Sequence, residues 1–255
     1  MSNSCDVRIE YFAPPERLRP YFTTFFLSEV EVADEGMAED LLFPEWAALR
    51  FSSAEPPLDL EAPAMAELRS GYRLHHNARF PVIGPRSQEI RFRIFSTRLW
   101  SINLSPLGWA RYVRLPAHEY ANVLIEGYDH PAFSHFRPLV DIVFSPEPDA
   151  GAEFERIVSF LDRLDMPRLP NEDRITSIYV ALLNPQLTTV GELAEELAIN
   201  ERTLGRICLK VFGFTPKILI RRQRFLRSLA DFTLDPSLKW IGAMDSLYHD
   251  QAQFG

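Results

Sequence analysis

The chain has 255 residues, 46% of them hydrophobic and 24% charged. That is the make-up of a folded globular protein with room for one or two domains, and it excludes a disordered, collagenous or disulfide-scaffold chain. Two cysteines, Cys5 and Cys208, suit a reducing cytosol. Met1 to Pro15 has no signal-peptide pattern, and no apolar run approaches the ~20 residues of a membrane helix. No membrane partner is expected.

The net charge of −8 conceals a split. Residues 1–170 hold 17 Lys and Arg against 25 Asp and Glu, whereas residues 171–255 hold 10 of each. Within the latter, Arg202, Arg206, Lys210, Lys217, Arg221, Arg222, Arg224 and Arg227 face Glu201 alone across residues 200–230. A local basic stripe of this kind is either the footprint of phosphate binding or a solvated helix face.

In chain order, residues 21–27, 46–52 and 89–95 read as strands. In the last, Ile90, Phe92 and Ile94 alternate with arginines. Trp100, Ile102 and Leu104 alternate similarly up to Pro106-Leu107-Gly108. Pro and Gly punctuate these runs as in a sandwich or barrel. Cys5 falls in an expected frayed terminus. Phe154, Ile157, Val158, Leu161 and Leu164 then recur at helical spacing. That stripe has two possible uses: joining two chains in a homodimer, or packing on its own β-domain. Pro167 and Pro170 end the helix, so residues 167–173 read as a linker, and a short apolar helix follows over residues 175–183.

Thr189-Val190-Gly191-Glu192 is a capping box that opens a helix with Val190, Leu193, Ala194 and Leu197 on one face. Ala198-Ile199-Asn200 is a tight break, with Asn200 as the next N-cap. The second helix runs to Phe212 and stops at Gly213. Its buried face is Leu204, Ile207, Cys208 and Val211. Arg202, Thr203, Gly205, Arg206 and Lys210 stay outside. Two short helices with a three-residue break and an arginine-studded second member describe either a helix-turn-helix or an ordinary helical hairpin. Arg202 and Arg206 share one face, where an arginine fork matches guanine.

These motifs, followed by Phe212-Gly213-Phe214-Thr215-Pro216, resemble the first helix-turn-helix of AraC/XylS-family transcription regulators. Residues 217–230 look like that family's connecting helix. Leu238-Lys239-Trp240-Ile241 and residues 248–254 look like the opening and turn of its second helix-turn-helix. The resemblance covers residues 171–255, but the second recognition helix stops short, with only Gln251 to Gly255 after Asp250. Ile83-Gly84-Pro85 and Pro106-Leu107-Gly108-Trp109 are similar to cupin-like front domains found in some members.

The resemblance implies an α+β chain. Residues 1–166 would be a β-rich, cupin-like barrel or sandwich acting as sensor, and residues 174–255 an all-α DNA-binding domain with its second unit truncated. It implies that Arg202, Gly205 and Arg206 approach bases, that Thr189, Lys210 and Arg221 approach phosphates, and that Thr203 and Gln251 also lie in the DNA interface. The implied partners are double-stranded DNA, a small-molecule effector and RNA polymerase. Arg224 is expected in an ion pair between helices.

No G-x-S-x-G, P-loop or G-x-G-x-x-G occurs, and the five histidines of residues 1–166 (His75, His76, His118, His130, His135) lack ligand spacing. No metal, cofactor or enzymatic activity is expected. The alternative from another class is a cupin-like binding or enzymatic protein with a degenerate helical tail. Trp46, Trp100 and Trp109 either line an apolar pocket or pack the core, and Cys208 reads as a small core residue.

Overall fold

The computed structural model describes residues 5–33, 38–53, 58–61 and 79–234. Its first half is β-rich. Strands β1 (Cys5–Phe12), β2 (Phe22–Val32), β4 (Ala48–Ser52), β6 (Pro81–Ile83), β8 (Thr97–Leu104) and β9 (Leu124–Glu126) form an antiparallel six-stranded sheet in the order β1-β2-β8-β4-β6-β9. A second, three-stranded antiparallel sheet has the order β3 (Ala38–Leu42), β7 (Ile90–Ile94), β5 (Leu58–Glu61). Helices α1 (Pro106–Gly108), α2 (Leu139–Ile142), α3 (Ala150–Arg163), α4 (Glu172–Leu183), α5 (Val190–Glu196), α6 (Glu201–Ile207) and α7 (Pro216–Leu234) follow. The fold is therefore α+β, with strands and helices segregated along the chain.

β2 and β8, both interior strands of the sheet, are rich in aromatic and branched residues that bury fully. Phe22, Phe25, Leu27, Trp100, Ile102 and Leu104 are all enclosed. The register runs from Phe22 opposite Leu104 to Val30 opposite Thr97, with one irregularity between Phe22 and Thr24. Cys5 is not frayed: it opens β1 opposite Val32, although its side chain is exposed.

The apolar stripe of α3 is spent inside its own β-rich half. Ile157, Val158, Phe160 and Leu161 are buried in the main core, where Phe154 and Leu164 join them. Phe154 stacks on Phe12 at 4.8 Å between ring centres. Of the two uses open to this stripe, packing on the same chain is the one realised. It is fixed by Glu153, a buried carboxylate that accepts from Trp100 Nε1 (2.8 Å) and from both Nη atoms of Arg98. Trp100 and Trp109 are core residues, 0% and 1% exposed.

A second core holds α4 to α7 together: Ile175, Ile178, Leu193, Leu204, Cys208, Phe212 and Leu219 are buried in it. It also takes in Leu107, with Tyr21 and Trp46 packed against it. The helical half is thus seated on the β-rich half. Gly213 fixes that seat. Its φ of +88° is the left-handed conformation that ends the helix, and a Cβ there would lie 3.2 Å from Pro85 and 3.3 Å from the Ala117 carbonyl. Both demands select glycine.

Candidate nucleic-acid interface

The connection into the helical half is strapped down. Arg111 donates to the Met166 carbonyl through Nε (3.1 Å) and Nη2 (2.7 Å), and Arg114 Nη2 reaches the Pro167 carbonyl. Both arginines come from a π-helical turn, Trp109–Val113, and its cap Arg114 (φ 62°). Glu172 starts α4, earlier than the sequence spacing suggests, and its carboxylate accepts from the Leu169 amide (3.0 Å), Arg168 (3.1 Å) and Arg111 (3.4 Å). Burial pushes the Glu172 pKa up. The Leu169 amide and the two arginines more than offset this and hold it below the usual carboxylate range.

The α5–α6 hairpin is built from local signals. The Glu192 amide donates to Thr189 Oγ1 (3.2 Å), and the Glu192 carboxylate accepts from the Thr188 (2.8 Å) and Thr189 (3.0 Å) amides. Those two amides hold the carboxyl below its ordinary pKa. α5 ends in a Schellman motif: the Ile199 amide donates to the Ala194 carbonyl and the Ala198 amide to that of Glu195, both at 3.0 Å. The left-handed position of this motif is Ala198, at φ 50°. Asn200 then caps α6 by accepting from the Thr203 amide at 2.8 Å.

Helix α6 is anchored by Leu204 and continues through a π turn, Cys208–Phe212, in which Cys208 and Phe212 are 0% exposed. Burial pushes the Cys208 thiol up to about 12, so it is a neutral core residue. Arg202, Arg206 and Lys210 are exposed. A Cβ on Gly205 would meet no atom within 4 Å. Arg202, Gly205 and Arg206 therefore form one unobstructed face.

Thr203, Arg206 and Lys210 lie on the adjoining edge, where they line a groove of about 1010 Å³. Its far wall is Arg114, Arg168, Arg174 and the strapped segment from Pro167 to Asn171. Its floor includes Leu169, Ile175, Leu197 and Val211. Five cations and the single acid Asp173 line it. Arg114, Arg168 and Arg174 carry no motif, and only their placement beside α6 reveals them.

The other expected contacts divide. Arg221 is exposed on α7. Thr189 is exposed, and its hydroxyl already serves the α5 cap. Gln251 and the second helix-turn-helix, residues 238–254, lie outside the described residues. One member of the basic stripe is no surface cation at all. Arg222 is 3% exposed, donates to the Arg86 carbonyl (3.1 Å) and lies over the Trp46 ring. Burial lowers its pKa to about 9, still above neutrality. Beneath it Glu45 binds the fully buried Arg86 and lies 3.9 Å from Arg50, whose pKa burial lowers to about 10. Arg224 is half-buried on the same helix.

Of the three histidines among the described residues, His130 and His135 have structural roles. His130 Nδ1 accepts from the Ala132 amide (3.2 Å), and His135 packs on Phe136. Burial lowers the pKa of both. Among the described residues, no cluster of three or more His, Cys, Asp or Glu is placed to hold a metal ion, and no helix is long and apolar enough to cross a membrane.

No protein-family model matches the chain, and no curated protein matches it. Among solved structures, the chain is similar to ToxT from Vibrio cholerae at 12% identity, over 98% of this chain and 93% of that one, with a TM-score of 0.42.

Proposed function

We propose that the chain is a DNA-binding transcription regulator, with α6 entering the major groove and the groove beside it holding one phosphate strand. The observation that carries this reading is the open face of Arg202, Gly205 and Arg206 on a helix anchored by Leu204 and Cys208. The small residue lets the helix approach base edges, and the arginine forks flanking it match guanine. Arg114, Arg168, Arg174 and Lys210 then form the phosphate track. The β-rich half, cupin-like in this reading, is the regulatory half. A small-molecule effector held there would reach α7 through Glu45, Trp46 and Arg222.

The test is binding to DNA from upstream of the protein's own and adjacent genes, measured across a salt series. Four to five neutralised phosphates give a slope of log K against log salt of about −3.6 to −4.5. Arg206→Ala weakens the preferred site by ~1–3 kcal/mol and relaxes its preference. Arg174→Gln and Lys210→Ala weaken all sequences alike and flatten the slope. Binding indifferent to salt and to these substitutions overturns the reading.

A further inference from the structure

β1 is one of the two edges of the six-stranded sheet, and among the described residues only β2 pairs with it. It pairs with β2 over all eight residues, Cys5 opposite Val32 through Phe12 opposite Phe25, with no bulge. Natural edges are blunted by proline, lysine, bulges or short length. This one has no proline, lysine or bulge and runs eight residues; its charged residues, which also guard edges, alternate in sign. One of its faces holds Val7, Ile9 and Tyr11, which are 51%, 45% and 69% exposed. The other face alternates in charge: Asp6, Arg8, Glu10.

That alternation is self-complementary about Ile9 and about Val7, but only about Ile9 does the apolar face of the described strand match as well. We infer that β1 pairs antiparallel with β1 of a second copy about a two-fold axis at Ile9, joining two six-stranded sheets into one. In this register Ile9 meets Ile9, Val7 meets Tyr11, and Arg8 of each copy meets Glu10 of the other. Both apolar ends and both charge pairs are matched at once. Moving the axis by one residue to Arg8 sets Arg8 against Arg8 and Asp6 against Glu10, so the charges select against the slip. An axis at Val7 matches Asp6 with Arg8 but leaves Tyr11 opposite residue 3, outside the described strand. Arg8 already faces Glu29 of β2 at 3.6 Å. In the pair it lies between two carboxylates, which oppose each other less for having it there. The interface needs nothing from α3, whose apolar face is already buried.

The experiment uses the full chain and sedimentation velocity at micromolar concentration. The wild type is expected to sediment as a dimer. Arg8→Glu and Glu10→Arg each place like charges opposite one another and are expected to sediment as monomers with unchanged circular dichroism. An equimolar mixture of the two restores both charge pairs and is expected to return to a dimer. A monomeric wild type, dimers in both single variants, or a mixture that stays monomeric overturns the proposal. Should either variant fail to fold, cross-linking decides. In a Cys5→Ser background, Ile9→Cys forms an intermolecular disulfide on oxidation and Tyr11→Cys does not, because only residue 9 faces itself. Equal cross-linking at the two positions, or none at residue 9, overturns the proposal as well.

Discussion

The guanidinium carbon of Arg222 lies 3.5 Å from the centre of the Trp46 ring. One residue before Trp46, Glu45 holds Arg86 by its carboxylate and, through its backbone carbonyl, accepts from Arg222 at 3.4 Å. Three buried arginines, Arg50, Arg86 and Arg222, thus gather around one carboxylate where α7 meets the sheet. Breaking a buried ion pair from one side is expensive because the partner is left charged and desolvated. Glu45→Gln is therefore expected to cost about 3 kcal/mol. Arg222→Met, which removes a buried charge and keeps an apolar chain over Trp46, is expected to cost clearly less. Urea unfolding of the two variants checks the order. The reverse ranking would show that Arg222, not Glu45, holds the junction.

Leu204 and Gly205 are neighbours with opposite duties. Leu204 is 0% exposed, and Leu204→Ala is expected to lose ~2–5 kcal/mol through the cavity left behind. Gly205→Leu adds bulk into open space and replaces a poor helix former, so the fold is expected to gain about 0.5–1 kcal/mol. The same change is expected to weaken DNA binding at least tenfold, since it thickens the face offered to the major groove. Thermal melts and titrations of one preparation separate the effects. Undiminished DNA binding by Gly205→Leu removes this face from the interface.

Ala198 occupies a left-handed backbone position at φ 50°. An L side chain there costs ~1–2 kcal/mol that glycine avoids. Ala198→Gly is accordingly expected to stabilise the protein by about 1 kcal/mol, even after its greater unfolded freedom is counted. A rise in melting temperature checks this. A fall would mean that the alanine methyl contributes packing beyond its neighbours in the turn.

The cap at Glu192 links stability to acidity. The Thr188 and Thr189 amides hold its folded pKa below the unfolded value, about 4.3 for glutamate. Its contribution is therefore complete above that value and disappears as pH falls through the lower, folded one. Glu192→Gln keeps an acceptor oxygen and removes the titration. Its melting temperature is expected to fall less steeply on acidification than that of the wild type. Parallel acid limbs for the two proteins would show that other carboxylates govern the loss.

The helical half was the more legible in the sequence because its signals are local. Thr189 and Glu192 are three residues apart, as are Asn200 and Thr203, so caps and apolar spacing fix α5 and α6 without reference to anything distant. The β-rich half is legible where aromatic and branched residues cluster or alternate, as in β2, β4, β7 and β8. β1, eight residues long, reads as a frayed terminus because its partner β2 is what orders it, and β3, β5, β6 and β9 are short strands defined by partners far along the chain. For α3 the spacing revealed an apolar stripe but not what covers it. Arg222 was misread for the same reason. Counted with seven neighbouring cations, it belongs to a cluster around Glu45, 177 residues away. Arg168 and Arg174 likewise gained meaning only when the strapped segment brought them alongside Arg206.

The pairing of β2 with β8 bears on the order in which the molecule assembles. Thr23 and Asn103, which meet there, are 80 residues apart. During synthesis β2 has its neighbour β1 from the outset, but its second edge stays open until that whole length has emerged. The α5–α6 hairpin closes over a few residues and has no such wait. Contacts of long sequence separation form slowly and local ones quickly. Arg222 rests on Trp46 and on the carbonyls of Glu45 and Arg86, the last two 177 and 136 residues away, so the seating of α7 is expected late in assembly.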